Sequence, residues 1–389
     1  MKIVIKAASA KMGGAATYIT TLLRSLPPPE SGYEFDVFLP PETADKLEGL
    51  SANVRLIVTS VGHAAVWKRF WWEQVTLRLW LKKRKADVLF ATGNFGMFHC
   101  PVRQLLLVTN TLYFSKIYRD KFMARHSWRF RVPFELRRWL ICESVRQADW
   151  VMTPTHTMLD ELRNFVDVPQ HKALVNHYGV DAPEPQSRNP PLRVEKGRRN
   201  AGTSYNLLYI SLYGEHKNLG TLLKAIPLLN QEGGRNFLLQ TTVDPTCEGS
   251  TGTVTYREDR ALAQEPSVSA RVRFVGALPR EQTERLYLNS DIFVFPSLTE
   301  SFGFPMAEAM SHGLPIVASD TPVNREMCGE AAVYFSPLNP EDLARQVHRV
   351  AADQALYQRL RTEGRRRAAT MCRWEEHVGR VLEVTQTKH

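Results

Sequence analysis

The most informative part of this sequence is the stretch Asp291-Ile-Phe-Val-Phe-Pro-Ser-Leu-Thr-Glu-Ser-Phe-Gly-Phe-Pro-Met-Ala-Glu308. Its apolar run 292–295 predicts a strand that is buried on both faces. A polar loop follows, in which Gly303 permits close approach of the backbone, and Pro305 stands where a first helical turn tolerates proline. The stretch therefore predicts a strand, a glycine-containing loop and a helix N-terminus, with a carboxylate on each side of the turn.

This arrangement has a chemical preference. A helix N-terminus after a glycine offers free N–H groups and a positive dipole end, which suit a phosphate. The carboxylates of Glu300 and Glu308 would repel a phosphate, but they accept hydrogen bonds from sugar hydroxyls. A lone glutamate in a first turn only complements the helix dipole. Two of them at the carboxyl end of a strand, where ligands of open α/β sheets bind, favour a nucleotide-sugar site.

Length and composition indicate a globular protein of two or three domains. The chain has 389 residues, of which 43% are hydrophobic and 23% are charged. No apolar run approaches the roughly 18 residues of a membrane span, and the charged N-terminus predicts a first strand rather than a signal peptide. The five cysteines are scattered without a Cys-x-x-Cys pair, which argues against a zinc site or a disulfide framework. We therefore expect a cytoplasmic protein.

The net charge of +10 is concentrated in the N-terminal half. Up to Asp181 there are 25 Lys and Arg against 16 Asp and Glu, whereas the remainder carries 25 against 24. Such an excess suits an anionic partner, namely a membrane surface, a phosphorylated acceptor or a nucleic acid. The plainer alternative is a solvated basic face.

Two segments of this half are basic and aromatic together, at 67–85 and 125–139. Lys and Arg interleaved with Trp and Phe suit a bilayer interface, where aromatic rings lie at headgroup depth. The alternative is that these rings form the core face of ordinary helices. The spacing of Phe70, Gln74, Leu77 and Leu81 supports that alternative for at least half of them.

Strand and helix patterns alternate along both halves, which predicts doubly wound parallel sheets. A first helix is expected at 18–26. Residues 182–204 are rich in Pro, Arg, Asn and Gly, lack apolar periodicity and are interpreted as a linker. The strands are expected at 2–7, 33–39, 54–59, 87–92, 104–109, 150–153 and 172–181, and then at 206–212, 236–242, 272–275, 292–295, 315–318 and 332–335.

Taken together, these motifs resemble the retaining glycosyltransferases of family 4, of the group 1 type. The resemblance covers essentially the whole chain and is densest at 272–343, where two glutamates separated by seven residues flank Ser-Phe-Gly and continue into Glu-Ala-Met. It implies the GT-B fold, in which two Rossmann-like domains face each other across a cleft. Residues 1–183 would form the acceptor domain, joined by a crossover helix at about 373–389. Residues 184–204 would be the linker, and 205–372 the donor domain.

The resemblance also implies roles for individual residues. Glu300 would hold the donor sugar, Glu308 the ribose and Lys217 the diphosphate. Catalysis would rest on Glu300, Lys217 and Asn110. Donor binding would involve Gly13, Gly14, Lys217, Val275, Gly276, Glu300, Ser301, Phe302, Gly303, Phe304 and Glu308.

Two positions depart from the family pattern. Many members carry an arginine a few residues before the lysine, whereas this chain reads Ser211-Leu-Tyr-Gly-Glu-His-Lys. Leaving-group stabilisation would then rest on Lys217 and backbone dipoles. Many members also carry a histidine where this chain has Asn110, which can hydrogen-bond a sugar but cannot titrate. His99 is nearby in sequence, and we interpret it as a loop residue.

The expected function is transfer of a hexosyl-type sugar from a nucleotide-diphosphate sugar to a saccharide or lipid-linked acceptor, with retention of configuration. No Asp-x-Asp motif follows a strand, so neither a metal nor another cofactor is expected. The product would be a cell-surface polysaccharide, lipopolysaccharide or glycolipid, made in the cytoplasm or on the inner face of the membrane. The alternatives are another GT-B enzyme such as a sugar-nucleotide epimerase, a non-catalytic nucleotide-sugar binding protein and, least favoured, a nucleic-acid binder.

Overall fold

The computed structural model describes residues 1–11, 13–180, 204–231, 234–245 and 253–387. The predicted linker at 184–204 therefore lies outside the described residues, except for Ser204, which begins a strand. Contacts divide the chain into two compact units. The N-terminal unit contains Met1–Phe114, Trp128–Gly179 and Cys372–His389. The C-terminal unit contains Ser115–Ser127 and Val180–Met371.

The N-terminal unit is built on a seven-stranded sheet with the order β3-β2-β1-β4-β5-β6-β7, in which all neighbours are parallel. The order reverses at β1, and such a reversal opens a crevice at the carboxyl ends of the strands. The strands are β1 (Lys2–Lys6), β2 (Glu34–Leu39), β3 (Val54–Val58), β4 (Val88–Ala91), β5 (Arg103–Leu107), β6 (Trp150–Thr153) and β7 (Ala173–Val175).

The C-terminal unit is built on a six-stranded parallel sheet with the order β10-β9-β8-β11-β12-β13. The predicted strand Ile292–Phe295 is the central strand β11, and each of its four side chains is at most 1% exposed. The strands are β8 (Ser204–Tyr209), β9 (Asn236–Thr241), β10 (Val272–Phe274), β11 (Ile292–Phe295), β12 (Ile316–Ser319) and β13 (Ala332–Phe335).

Helices connect nearly all successive strands of each sheet, which is the usual crossover between parallel strands, whereas residues 92–102 join β4 to β5 without a helix. A π-helical segment, Trp72–Leu77, joins α3 to α4 without a break. The helices of the N-terminal unit are α1 (Gly13–Arg24), α2 (Pro41–Ala44), α3 (Val66–Trp71), α4 (Arg78–Arg84), α6 (Trp128–Gln147), α7 (His156–Arg163) and α16 (Trp374–Gln386). Those of the C-terminal unit are α5 (Lys116–Lys121), α8 (Leu219–Gln231), α9 (Tyr256–Gln264), α10 (Pro266–Ser269), α11 (Arg280–Asn289), α12 (Phe304–Ser311), α13 (Pro322–Cys328), α14 (Pro340–Ala352) and α15 (Gln354–Ala369).

Two predicted elements differ in extent from those observed. The first helix begins at Gly13 rather than at residue 18, because Gly13 adopts a left-handed φ of 62° and turns the chain directly into the helix. The last strand of the N-terminal sheet covers only Ala173–Val175, not 172–181. The residues after it pack against α16 instead, where Asn176 Nδ2 donates to the carbonyl of His377 over 3.0 Å.

Helix α16 belongs to the N-terminal unit although it is the last element of the chain. Trp374 stacks on Tyr178 with ring centroids 6.4 Å apart. A Cβ on Gly179 would lie only 2.5 Å from the Trp374 backbone, so glycine is needed for this approach. His377 is fully buried and its Nδ1 lies 2.9 Å from the carbonyl oxygen of His177. The C-terminal segment is thereby held against the residues that follow β7.

No helix in the described parts of the chain combines the length and apolar character needed to cross a membrane.

Candidate active site

The loop between β11 and α12, residues 296–303, carries the predicted site of the C-terminal unit. Gly303 precedes α12 with a φ of +82°, a left-handed conformation that glycine adopts without strain. Phe302 is buried and its ring contacts that of Phe304, with centroids 5.1 Å apart. Ser301, between Glu300 and Phe302, is half-buried. The loop thus leads the backbone, anchored by an aromatic side chain, into the N-terminus of an eight-residue helix.

Glu300 and Lys217 form the central ion pair of this site. Lys217 Nζ lies 2.6 Å from Glu300 Oε1, and both side chains are mostly buried. Lys217 ends a 3-10 turn, Glu215–Lys217, that follows β8, the strand adjacent to β11. Two residues that lie 83 positions apart therefore meet at the carboxyl edge of the sheet. A mostly buried lysine beside a carboxylate gives the site one positive and one negative group for a polar ligand.

Ser297 orients Glu300 from the other side. Its hydroxyl donates to Glu300 Oε1 over 2.6 Å, so that one carboxylate oxygen accepts from both Ser297 and Lys217. Ser297 itself is completely buried. Its carbonyl accepts from the hydroxyl of Ser319 at the end of β12. Glu300 is consequently held in one orientation by groups from β8, β11 and β12.

Besides the ion pair, further hydrogen bonds join the turn that carries Lys217 to the loop that carries Glu300. The amide of Leu298 donates to the carbonyl of His216 over 2.9 Å. Asn218, in a left-handed conformation with φ of 56°, donates through Nδ2 to the carbonyl of Pro296 over 3.0 Å. The two loops form one rigid surface, because these bonds cross between them at residues adjacent to the ion pair.

Burial shifts the titration of two groups beneath this surface. Tyr209 donates to the carbonyl of Lys217 over 2.8 Å. Burial, with a further contribution from the charge of Glu300, holds the pKa of Tyr209 well above its usual value. Burial first, and then the charge of Lys217, holds the pKa of His216 well below its usual value. Both groups are neutral at physiological pH, so Lys217 and Glu300 carry the charge of the surface.

Glu308 lies in α12 and is held by a tyrosine. Tyr287 Oη donates to Glu308 Oε2 over 2.7 Å. Tyr287 is buried, and burial first and then the charge of Glu308 raise its pKa well above the usual range, so the phenol stays a donor. The imidazole of His312 stacks on the Tyr287 ring with centroids 5.0 Å apart. One oxygen of Glu308 is thus fixed by the protein, although the residue as a whole is exposed.

Glu215, two residues before Lys217, anchors a distant part of the chain. It is buried, and its Oε1 lies 2.7 Å from His126 Nε2 and accepts from the hydroxyl of Tyr118. Its Oε2 accepts from the amide of Val254 over 2.9 Å. Residues 115–127, between β5 and α6 in sequence, therefore belong to the C-terminal unit, whereas we expected all of 1–183 to form one domain.

Val275 and Gly276 follow β10 at the carboxyl edge of the same sheet. The amide of Val275 donates to the carbonyl of Thr241 over 2.9 Å, which continues the pairing of β10 with β9. Gly276 has a left-handed φ of +68°, and among the described residues other than its chain neighbours no atom lies within 4 Å of the place where its Cβ would be. The carboxyl edge of the sheet beside β10 is therefore unobstructed by the described residues, and Gly276 exposes its backbone there.

The remaining predicted residues, Gly13, Gly14 and Asn110, belong to the N-terminal unit. Gly13 and Gly14 form the first residues of α1, and the space beside Gly14 is open. Asn110 follows β5. Its side-chain oxygen accepts from the amide of Leu112, and its own amide donates to Asn94 Oδ1 over 2.9 Å. Asn110 thus caps a short turn, a structural task that needs no titration.

A small cavity lies near the carboxyl ends of β1 and β4 in this unit. Lys6 Nζ lies 3.0 Å from Glu73 Oε1 and donates to the carbonyl of Phe95 over 2.7 Å. Lys6 and Glu73 line the cavity together with Ser9, Arg69 and Gly93. A larger cavity of about 650 Å³ opens beside Cys100 and Asp149, where β4, β5 and β6 begin. Because ligands of parallel sheets bind at the carboxyl edge, the smaller cavity is the better candidate for a substrate.

The structure brings together Glu300 and Lys217 with the loop 301–304, and it places Glu308, Val275 and Gly276 on the same unit. Sequence reasoning missed Ser297, Tyr287 and Glu215. Ser297 lies in the quoted stretch, at hydrogen-bonding distance from Glu300, and its position directly after β11 was the one signal available. Tyr287 and Glu215 gave no such signal, because their partners are distant in sequence.

Two family models match this chain in succession. Residues 12–183 match the model described as Glycosyltransferase Family 4, and residues 194–367 match Glycosyl transferases group 1. An uncharacterized glycosyltransferase of Methanocaldococcus jannaschii is 24% identical over 88% of this chain and 86% of its own length. The O-antigen chain mannosyltransferase B of Escherichia coli is 29% identical, but the match spans 50% of this chain and 49% of that protein.

Solved structures share the fold. The structure of Anabaena HepE in complex with UDP-glucose superimposes with a TM-score of 0.67, covering 98% of this chain and 99% of that one at 16% identity. At that identity the likeness establishes the architecture alone, two Rossmann-like units each with a parallel sheet.

Proposed function

This chain belongs to the group 1, family 4 glycosyltransferases with the GT-B fold, and from that premise we propose that it transfers a hexosyl-type sugar from a nucleotide-diphosphate sugar with retention of configuration. The observation that carries the proposal is the contact of Lys217 Nζ with Glu300 Oε1 at 2.6 Å, beside the N-terminus of α12. This contact supports the proposal, because it brings a cation suited to a diphosphate and a carboxylate suited to sugar hydroxyls to a single point.

Lys217 has the charge-stabilising role. When the sugar–phosphate bond breaks, negative charge develops on the diphosphate, and preorganised positive groups lower the barrier to that step. The backbone N–H groups at the start of α12 add to the potential of Lys217. In the structure Lys217 is paired with Glu300. A bound donor would separate the pair, because the diphosphate competes for the ammonium while sugar hydroxyls compete for the carboxylate.

Glu300 and Glu308 would bind different parts of the donor. Glu300 keeps Oε1 on Ser297 and presents its other oxygen to the sugar. Glu308 keeps Oε2 on Tyr287 and presents its other oxygen to the ribose. The open backbone at Gly276 would lie against the base. Each carboxylate is thus oriented by a neutral hydroxyl donor, a support that leaves its charge intact.

We infer that the reaction needs no metal ion. Lys217 supplies the countercharge in this scheme. Retention would follow from attack on the same face as the leaving diphosphate, whose oxygen accepts the acceptor's proton. The anomeric signal of the product in an NMR spectrum distinguishes retention from inversion.

The acceptor is assigned to the N-terminal unit. Lys6, Glu73 and Arg69 around the small cavity offer donors and acceptors for a saccharide. The O-antigen mannosyltransferase with which this chain shares 29% identity supports a role in cell-surface polysaccharide, lipopolysaccharide or glycolipid synthesis. A lipid-linked acceptor would bring the enzyme to the cytoplasmic face of a membrane as a peripheral protein.

A panel of UDP-, GDP- and ADP-sugars tests the assignment. A true donor raises the unfolding temperature, because a ligand that binds only the folded state stabilises it. The stabilised protein is then given that donor with and without saccharide acceptors. Transfer supports the proposal. Interconversion of the donor without an acceptor would identify an epimerase, and binding with neither transfer nor hydrolysis would identify a non-catalytic binding protein.

A further inference from the structure

Two helical segments of the N-terminal unit expose most of the large apolar side chains that the protein shows to solvent. They are the continuous segment 66–84, which comprises α3, the π-helical segment and α4, and the helix α6. Ten of the twelve exposed large hydrophobic side chains among the described residues lie on these two segments, which make up about a tenth of the chain. Single exposed apolar residues are ordinary, but a concentration of this kind marks a docking surface.

The exposed side chains form one stripe on each segment. On the first they are Trp67, Trp71, Val75 and Leu79, at four-residue spacing, and all except Val75 are 62% exposed. On α6 the stripe is Trp128, Val132, Leu136 and Trp139, each more than half exposed. Residues three and four apart share one face of a helix, so each stripe is continuous. We call the two stripes with their flanking cations the two-helix face.

The opposite side of the first segment packs normally, which shows that the stripe is not a misplaced core. Leu77 and Leu81 are fully buried. Trp72 and Trp80 both pack edge-on against Phe38 of β2, with centroids 5.2 and 5.6 Å away. The segment therefore has two apolar sides. The inner one is covered by the sheet, and nothing in the described residues covers the outer one to the same degree.

The two segments lie beside the same loop and the same tyrosine. Arg78 Nη1 donates to the carbonyl of His99 over 2.7 Å, while the amide of His99 donates to Gln147 of α6 over 2.9 Å. Burial raises the pKa of Tyr113, and the charges of Arg137 and Arg69, one from each segment, act against that shift. The segments are thus neighbours on one flank of the unit.

The charge of the two segments indicates the kind of partner that the two-helix face would bind. The two segments contain eleven Lys and Arg against three Glu, a net charge of +8 in a chain whose total is +10. The exposed Lys68, Lys82 and Lys83 have no carboxylate within salt-bridge distance in the described part of the chain. Arg129 lies beside the Trp128 ring, 5.7 Å from its centroid. A second copy of this chain would meet this face with like charge, which disfavours self-association.

We propose that the two-helix face is a docking surface for an anionic lipid bilayer. The tryptophans would lie at headgroup depth and Leu79, Val132 and Leu136 at the acyl boundary, while the cations meet lipid phosphates. The aliphatic members distinguish this partner from a nucleic acid, since aromatic rings stack on bases but leucine and valine do not. The inference deepens the proposed function by fixing which face of the enzyme meets a lipid-linked acceptor.

Vesicle sedimentation tests the surface without any acceptor. The full chain is mixed with vesicles of phosphatidylcholine alone or of phosphatidylcholine with phosphatidylglycerol. It should bind the second kind and not the first, and added salt should weaken binding. The double variant Trp71→Ala/Leu79→Ala should bind roughly tenfold more weakly. Leu212→Ala, which removes an equally exposed leucine from the C-terminal unit, should bind like the wild type.

The cations are tested separately. Lys82→Gln/Lys83→Gln should weaken binding by roughly fivefold for each charge removed, whereas Arg359→Gln, an exposed arginine on α15, should not. Equal binding to neutral vesicles, or unchanged binding by the stripe variant, would overturn the proposal. So would sedimentation equilibrium that shows a wild-type dimer and a monomeric stripe variant without vesicle binding, because the occupant would then be a second copy.

Failure of this proposal can be told apart from failure of the proposed function. The stripe and charge variants keep every residue of the Lys217–Glu300 site, so their stabilisation by the donor sugar should equal that of the wild type. Normal donor binding with no vesicle binding would reject the surface alone. Vesicle binding with no donor binding would reject the transferase assignment while leaving the surface in place.

Discussion

The Lys217–Glu300 site and the two-helix face use charged and apolar residues in opposite ways. In the site, the charges are mostly buried and paired, and Phe302 is turned into the core. On the two-helix face, about half of the cations are exposed, Lys68, Lys82 and Lys83 have no carboxylate within salt-bridge distance among the described residues, and the apolar stripes point outward. The first arrangement holds a few atoms in a defined geometry. The second provides an extended apolar area and a positive electrostatic potential without a defined geometry. From this contrast we infer that the first region suits a small ligand and the second an extended surface.

The largest effect is expected for Glu300→Gln in the Lys217–Glu300 site. Glutamine keeps the shape but loses the charge that pairs with Lys217, and turnover should fall by about 10²–10³, the usual cost of removing one preorganised polar group. Transfer assays with the donor identified by thermal shift measure this. Glu330→Gln, on an exposed glutamate of the same unit, is the control. Near wild-type turnover in Glu300→Gln would contradict the assignment of the site.

Acid should destabilise the N-terminal unit through His377. Burial, the dominant effect, lowers the pKa of this histidine from 6.5 to about 4, so the folded state favours neutral imidazole. The contribution of neutral His377 to the free energy of unfolding is present above the pKa of the unfolded state. It is lost as the pH falls through the pKa of the folded state. Relative to His377→Asn, the wild type should lose about 3 kcal/mol of unfolding free energy over this window.

Tryptophan fluorescence during chemical unfolding measures this effect in one unit, because all eight tryptophans lie in the N-terminal unit. Protonation would also place a hydrogen on the nitrogen that faces Tyr18 Oη, 3.0 Å away, and force that hydroxyl to turn. A wild type and a His377→Asn variant with parallel pH profiles would count against this role of His377.

Tyr287→Phe should have a smaller and more selective effect. Loss of the hydrogen bond to Glu308 frees that carboxylate to rotate, and the donor KM should rise roughly tenfold while kcat stays nearly constant. Preference for the ribose over the 2′-deoxyribose form of the donor should also fall. Tyr205→Phe removes a comparable buried hydroxyl, bonded to the carbonyl of Ala351, and should change neither value. A fall in kcat alone would show that Tyr287 does not act through the ribose.

The smallest expected change is in the stability of a variant of the two-helix face. Leu79→Ala, in the exposed stripe, should alter the unfolding free energy by less than about 0.5 kcal/mol. Leu81→Ala, two residues along α4 and fully buried, should cost about 2–5 kcal/mol. Urea unfolding of the two variants gives both values. A large loss for Leu79→Ala would mean that the stripe is part of the core, and the two-helix face would no longer need a partner.

Much of the fold was predictable because parallel strands buried on both faces give continuous apolar runs. The runs at 292–295 and 332–335 match β11 and β13 residue for residue. The first segment of the two-helix face was harder to predict, because it carries two apolar stripes that both recur with the period of a helix. Phe70, Leu77 and Leu81 predicted a core, and Leu77 and Leu81 form one. Periodicity cannot tell which stripe meets the sheet, so Trp67 and Trp71 could not be assigned.

The site was predictable where chemistry follows a motif and not where it follows from tertiary contact. Glu300 was predicted from its residue type and its place after a buried strand, and Lys217 from the resemblance to the family; the structure places the two side chains 2.6 Å apart. Ser297, Tyr287 and Glu215 are ordinary residues in the sequence. Their importance depends on which buried carboxylate or hydroxyl group each one meets after folding.

The anchoring of residues 115–127 by Glu215 has a practical meaning for dividing the molecule. Because the chain passes between the two units four times, no single cut separates them. A fragment that begins after residue 203 would lack Tyr118 and His126 and leave the Glu215 carboxylate buried without two of its partners. Hybrids that exchange the C-terminal unit between relatives should therefore include the matching 115–127 segment, because Glu215 of the imported unit would otherwise lack Tyr118 and His126.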